Sequence, residues 1–370
     1  MVPSSGGAQG DVRQKAPPRP QPQDVFRQGL QELVAYSPDP CGAPDGSEKN
    51  WHTSAIESRL FDAAEGIVED ALNEKTAAAR APHNRATTAL KQLEDESSRI
   101  NAAWPEDNRF HFEVLDINPV LLVKMGVRTH ETFFVFGMDS IEDASANRTW
   151  SEVGEDERLD QVARSWVSLF ALHRGPSGNA RFLVKFGLVG CAGSTGVAYD
   201  AREWDPEAIP GLTQIIKQSG SFGLDKVPDF PQIGHFKTEG PQVTIPYCWF
   251  SPIDTWDNPS MCAVDTYDLS GDNAKFISRV YNRPDLLPVA KAIEYAEQRD
   301  YGALQGYCGS VQVAEGMMRD LPPFVYAGDA IHVTTTGNGR ERVELGDGPA
   351  YRFDVEKRNG RWLVVAFKSE

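Results

Sequence analysis

The sequence predicts an α+β protein made of a disordered N-terminal tail, a helical hairpin packed on an antiparallel β-sheet domain, and a small, cone-like C-terminal α+β domain. Three observations predict it. Apolar residues recur at helical spacing between Ser54 and Trp104, alternate with polar ones from about Arg109, and return to helical spacing after Asn282-Arg-Pro284, ahead of tightly turned hairpins. A chain of 370 residues is also long for one hydrophobic core. The expected units are 1–50, 51–105, 106–282 and 283–370.

Residues 1–50 hold eight of the 25 prolines and too little apolar content to fold alone, so they read as a tail. Within it Asp24 is placed to cap a short helix carrying Val25, Phe26, Leu30, Leu33 and Val34, which needs a partner surface in this protein or another. Ser54-Ala-Ile-Glu57 has the form of a capping box, and Ile56, Leu60, Ala64, Ile67, Val68 and Ala71 carry the helix it opens to about Arg80. Pro82 stops that helix. A second begins near Asn84, places Ala86, Leu90, Leu93, Ile100 and Trp104 on one stripe, and ends before Pro105. The pair reads as a hairpin whose apolar face covers the following sheet.

Strands are expected around Phe110, Phe112 and Val114, then over 120–127 and 132–136 beyond the Asn118-Pro119 turn. Residues 165–173 and 180–189 form a hairpin across Gly175-Pro-Ser-Gly-Asn179. The stretch 200–240, rich in Gly, Pro and Asp, reads as irregular with one short helix near Leu212 to Gln218, the kind of segment that often serves as a binding loop. Strands return over 243–250 and 261–267.

The net charge is −16, with no Lys/Arg run to offset it, which argues against nucleic acid and anionic membrane as partners. No apolar run approaches the roughly 20 residues of a membrane span. The first residues show no secretory signal, so the expectation is a soluble protein, cytoplasmic, or extracytoplasmic if a signal was removed before the numbering begins. Cys41, Cys191, Cys248, Cys262 and Cys308 match no zinc spacing. They are open to two readings: buried small hydrophobes, or two disulfides with Cys41 left over, Cys248 with Cys262 closing the loop across Trp256.

In the C-terminal unit Leu287, Ala290, Ile293, Tyr295 and Ala296 define a helix, and Asp300-Tyr301 opens a second piece through Leu304 and Tyr307. Strand 331–335 meets 340–345 across Gly337-Asn-Gly339, and 351–356 meets 361–367 across Asn359-Gly360, with Tyr351, Phe353 and Val355 facing Leu363, Val365 and Phe367. This order of elements, the Arg299-Asp300-Tyr301 helix end and the Gly360-Arg-Trp362 hairpin resemble the nuclear transport factor 2-like superfamily over about the last 85 residues. The resemblance implies a cone-shaped α+β fold, whose members include enzymes, small-molecule binders and assembly modules. Enzymes of that superfamily place a polar pair inside the cone. The matching positions here are Tyr295, Tyr301, His332 and Asp354, and Asp354 alternates towards solvent.

Other motifs favour plain structure. The seven histidines lack metal-ligand spacing, and Gly187 to Gly196 is followed by β-like residues where a phosphate cradle needs a helix. Asp265-Thr-Tyr-Asp268-Leu-Ser-Gly-Asp272-Asn273 gathers oxygen ligands without an EF-hand's closing glutamate and reads as a polar turn. Tyr247, Trp249, Phe250 and Trp256 crowd around Cys248; buried they are core, and exposed they stack on sugar. No nucleophile elbow or Cys/His signature is present. The leading expectation is a non-catalytic interaction or accessory protein without metal or cofactor, its partner a protein or a small molecule and its oligomeric state open. The alternatives are a small-molecule binder or enzyme using the C-terminal interior through Tyr295, Tyr301 and His332, and carbohydrate binding through exposed Trp249 and Trp256.

Overall fold

The computed structural model describes residues 20–36, 53–74, 81–128, 130–138, 150–152, 166–189, 195–205, 212–218, 236–249, 251–254, 260–322, 331–337, 339–346 and 351–369. Among them are six α-helices and four antiparallel four-stranded sheets, an α+β architecture. No helix among the described residues is long and apolar enough to cross a membrane. Most of the tail (1–19 and 37–50) lies outside the described residues.

Its amphipathic segment is helix α1, Pro22–Leu33. Pro22 sits in the first turn, where a missing N–H costs nothing, and Asp24 lies in that same turn, paired with Arg27 instead of capping, while Gln21 holds the N-cap position. The partner surface that this helix needs is internal: Phe26, Leu30 and Leu33 are buried against α2 (Thr53–Asn73) and α3 (Pro82–Ile100). Phe26 meets Phe110 edge-to-face at 5.1 Å. The helix α2 starts one residue ahead of the Ser54 box, and Glu57 is not spent on its start. Its carboxylate is buried against Arg128 and His130.

The first sheet runs in the order β1 (His111–Asp116), β2 (Val120–Val127), β3 (His130–Met138), β4 (Trp150–Glu152). Strand β2 is apolar almost throughout because both of its faces are covered. Leu121, Val123, Met125 and Val127 meet the helices, whereas Val120 and Leu122 join the next sheet's core. That second sheet is β5 (Trp166–Ala171), β6 (Ala180–Val189), β7 (Thr195–Trp204), β8 (Leu212–Gln218). The short helix expected at Leu212 to Gln218 is therefore a strand, paired with β7 from Trp204↔Leu212 to Tyr199↔Gln218. Its β-branched Thr213, Ile215 and Ile216 suit a pleated ladder, and cross-strand pairing outweighs the glycine-rich flanks.

Strand β6 is again two-faced. Ala180, Phe182 and Val184 pack towards the first sheet, and Leu183 towards the third. The third sheet is β9 (Lys237–Glu239), β10 (Gln242–Trp249), β11 (Met261–Asp268), β12 (Lys275–Tyr281), in spatial order β12-β11-β10-β9. The strands of 106–282 thus divide among three successively packed sheets. Tight approach is bought by glycine at two contacts: a Cβ on Gly137 would lie 2.7 Å from the Trp204 ring, and one on Gly187 would overlap the Trp166 ring opposite it.

The C-terminal unit holds α4 (Leu287–Glu297), α5 (Tyr301–Gln305), α6 (Val311–Asp320) and a sheet β13 (Ile331–Gly337), β14 (Arg340–Leu345), β15 (Tyr351–Arg358), β16 (Arg361–Ser369). Asp300 caps α5 and Ser310 caps α6. Asn359 and Gly360 both have positive φ, as the tight β15–β16 turn requires. A register shift between Asp354 and Val355 breaks the expected alternation on the last strand: Phe353 faces Phe367, but Val355 faces Val364. Val364, not Leu363 or Val365, is therefore fully buried with Val343, Leu345, Phe353 and Val355. Ile253 and Met261 of the third sheet's hairpin share this core.

Candidate interaction site

Alternation on β10 sends Val243, Ile245, Tyr247 and Trp249 to one face, and their partners on β11 are Tyr267, Asp265, Ala263 and Met261. Arg279 on β12 opposes Asp265, so the same face carries an arginine between aromatic rings. Asp265 is fully buried and accepts both arms of the Arg279 guanidinium, at 2.7 and 2.8 Å. Held this way, Arg279 lies 5.6 Å from the Tyr247 ring centroid and 5.8 Å from that of Phe276. Tyr267 meets Phe276 at 5.7 Å, Tyr247 meets Trp249 at 5.8 Å, and Trp249 meets Tyr281 at 6.1 Å.

The row of rings continues onto the C-terminal unit. Tyr295 on α4 and Tyr307 after α5 lie 5.8 Å apart, with Lys291 above the first at 5.8 Å and Arg361 above the second at 5.2 Å. Burial acts to lower the Lys291 ammonium, but its 2.6 Å bond to Glu294, the Glu294 charge and the neighbouring tyrosines together hold it above its ordinary range. Burial, then the neighbouring Tyr295 hydroxyl, push the Tyr307 phenol up against Lys291 and Arg361. Burial and then Asp265 raise Tyr247 strongly. At neutral pH these phenols stay protonated, which suits hydrogen bonding to a partner and is the wrong direction for a general base.

The expected site residues are only partly gathered here. Trp249 is half-buried, wedged between Tyr247 and Tyr281 and packed against the C-terminal core, so it is not an exposed platform. Trp256 lies outside the described residues. Tyr295 is in the seam, whereas Tyr301 starts α5 and packs against the C-terminal core. His332 is exposed on β13, between Ile331 and Val333, whose side chains pack inward, and so does not line the interior. The interior is filled by the aliphatic and Phe353 side chains named above. Cys248 and Cys262, directly opposed on β10 and β11, form a disulfide with Cα atoms 3.9 Å apart, on the face away from the rings. Burial raises the Cys308 thiol to about 11, so it is an inert core residue.

Sequence reasoning missed Tyr281, Tyr307, Arg279 and the Asp265 anchor. Asp265 drew notice only as an oxygen ligand in a polar turn. That turn is instead filled by a cation of the protein: the fully buried Arg181 donates to the carbonyls of Leu269 at 2.6 Å and of Gly271 and Asp272 at 2.9 Å, and pairs with Glu203. Among the described residues no three His, Cys, Asp or Glu side chains converge as a metal site. His111 reaches across Gly126 to Glu131 at 2.9 Å, and Glu131 in turn accepts from the Val167 amide of β5. No protein-family model matches the chain, and no curated protein or solved structure matches it either.

Proposed function

We propose that the chain is a non-catalytic interaction protein whose working surface is the exposed edge of the third sheet, strand β12, with the aromatic seam beside it. One observation carries the reading. Of the five large apolar side chains that stand exposed among the described residues, three (Phe276 at 49%, Ile277 at 47% and Val280 at 48%) lie within five residues of one edge strand. Beside them the seam is rich in Tyr, Trp and Arg, the residues that dominate binding energy in protein interfaces. Among the described residues, three buried ionisable groups elsewhere are committed to architecture: Glu57 to Arg128 and His130, Glu131 to His111, and Arg181 to a turn. The C-terminal unit is read as a nuclear transport factor 2-like assembly module, supported by the run of three helices before a four-stranded antiparallel sheet and by an interior packed with side chains.

A photo-crosslinker placed at Ile277 in the producing cell is expected to give discrete adducts, whereas the same group at exposed Thr334 on β13 gives none. Equal, diffuse labelling from both positions would remove the interaction reading. Turnover of any substrate by the purified chain, abolished by Tyr307→Phe, would replace it with a catalytic one.

A further inference from the structure

The two ends of the aromatic seam differ in how their cations are held. On the third sheet Arg279 is bound by both arms to Asp265, at 2.7 and 2.8 Å. Beyond Tyr281 the seam passes to the C-terminal unit, where Lys291, Tyr295, Tyr307 and Arg361 come together from three parts of the chain. Lys291 and Tyr295 lie four residues apart on α4 and so share one face of that helix. Tyr307 is fixed against β16: the Val364 amide donates to its carbonyl at 2.9 Å, and the Gly309 amide donates to the Val364 carbonyl at 2.7 Å. That pairing sets the Tyr307 ring beside the start of β16, from which Arg361 reaches over it at 5.2 Å. The Tyr295 and Tyr307 rings lie 5.8 Å apart, and Lys291 stands 5.8 Å from the first. The Tyr307 hydroxyl is thereby within electrostatic reach of the Tyr295 and Tyr281 hydroxyls and of both cations.

Donors outnumber acceptors at this end. An ammonium has three N–H groups, and Glu294 takes one from Lys291 at 2.6 Å. The guanidinium of Arg361, an exposed residue, has no carboxylate partner among the described residues. Burial pushes the Tyr307 phenol up, so it keeps its proton at neutral pH and can donate it. Lys291 and Arg361 against Glu294 leave a single net positive charge, in a chain that carries −16. We propose that this end of the seam is a binding site for one carboxylate group. The Arg361 fork takes it from one side, the Lys291 ammonium and the Tyr307 hydroxyl from the other, and its apolar body lies along the Tyr295 and Tyr307 rings. One net charge matches a carboxylate, whereas a phosphate dianion leaves a charge uncompensated beside Glu294. The inference goes beyond the interaction reading, because the four side chains keep this geometry whether or not β12 takes a partner.

The test is fluorine NMR of the full chain labelled with 3-fluorotyrosine, with Tyr295→Phe and Tyr307→Phe assigning the two resonances. The probes have similar bodies and differ in charge: phenylacetate, phenethylamine and phenyl phosphate. Phenylacetate is expected to shift both resonances with a Kd on the order of 1 mM, ordinary for a ligand of this size. Arg361→Gln, a change at an exposed turn residue, should weaken that binding by at least about tenfold, and phenethylamine should shift neither resonance. No saturable shift up to about 20 mM phenylacetate overturns the proposal, and so does equal binding by Arg361→Gln. Tighter binding of phenyl phosphate than of phenylacetate overturns the choice of a carboxylate. The source of the carboxylate is read from the crosslinker at Ile277. Adducts lost on Arg361→Gln assign it to a protein partner, and adducts unchanged by that variant assign it to a free acid. Phenylacetate binding with no Ile277 adducts at all removes the interaction reading and leaves the site standing.

Discussion

Replacing Arg181 with Met is expected to loosen the junction between the second and third sheets by about 4 kcal/mol, and the components can be worked from its contacts. The side chain is fully buried, and it pairs with Glu203, whose side chain is 15% exposed. Removing one member of a buried ion pair costs ~3 kcal/mol at the lower end, because the other charge is left behind. Three carbonyls also lose their donor. Gly271 and Asp272 lie in an exposed turn where water can replace the guanidinium, so they add little. Leu269 is fully buried, and its stranded carbonyl adds ~1 kcal/mol or somewhat more. Met fills much of the aliphatic volume and limits any cavity contribution. A chain with several cores is a poor two-state unfolder, so the readout is native-state amide exchange over 180–186 and 262–272, which senses local opening. Four kcal/mol corresponds to exchange faster by about a thousandfold. Less than a tenfold change in the 262–272 segment would refute the assignment of Arg181 as the staple between these sheets. Arg181→Met combined with Glu203→Gln should recover part of the loss, since the second change removes the orphaned charge.

Reducing the Cys248–Cys262 bond, which closes a loop of sequence separation 14, is expected to cost ~3 kcal/mol in the chain-entropy picture, read as a lower melting temperature in dithiothreitol with no change for the double Ala variant. Gly187→Ala drives a methyl group into the Trp166 ring and should destabilise by ~1–3 kcal/mol, whereas Gly178→Ala, in open space at φ 85°, is milder; equal melting temperatures for the two would contradict the stacking geometry. The His111–Glu131 contact sets a pH window. The bond to Glu131 raises His111 above 6.5, so its contribution is whole below 6.5 and fades as pH climbs through the raised value. Burial pushes Glu131 up, but His111, the Val167 amide and Lys124 together hold it below 4.5, so its share is whole above 4.5 and is lost as pH falls through the lowered value. A melting-temperature scan should therefore favour the wild type over His111→Asn most between those limits; a difference that grows towards alkaline pH would reverse the sign and sink the assignment.

How far the sequence could be read depended on whether a feature was local. The helices of 53–100 and the β15–β16 hairpin follow from spacing, prolines and Asn359-Gly360, all of which act within a few residues. Strand β8 was misread because its conformation comes from its pairing with β7, Trp204↔Leu212 to Tyr199↔Gln218, and not from its own glycine-rich flanks. The alternation on β16 failed at a bulge that no residue type announces. The seam was half-legible: Trp249 and Tyr295 stood out as large rings, but Tyr281 and Arg279 become their neighbours only once the register of β12 against β11 is known. Pairing among strands also decides how many sheets there are. A period of two gives each strand a buried face without saying which strand covers it, so 106–282 could be read as sheet but not divided into three.

The buried charges show why chemistry is hard to find in this chain. Each junction between layers holds a polar group that crosses it: Glu57 from α2 to Arg128 and His130 beside the first sheet, Glu131 from the first sheet to the β5 amide, Arg181 from the second sheet to the turn after β11. Apolar faces alone would let stacked sheets slide against one another, since hydrophobic contact is non-directional. A buried charge that finds its partners in only one arrangement penalises the others by its full desolvation cost. Among the described residues, Glu57, Glu131 and Arg181 are thus occupied in fixing the order and register of the layers. The third sheet is where this use of charge thins out: Asp265 holds Arg279 at the surface instead of reaching into another layer, and β12 beyond it presents apolar side chains to the outside. The stack of helices and sheets thus fixes three of its junctions with charge, while its third sheet ends on a strand with three exposed apolar side chains, Phe276, Ile277 and Val280.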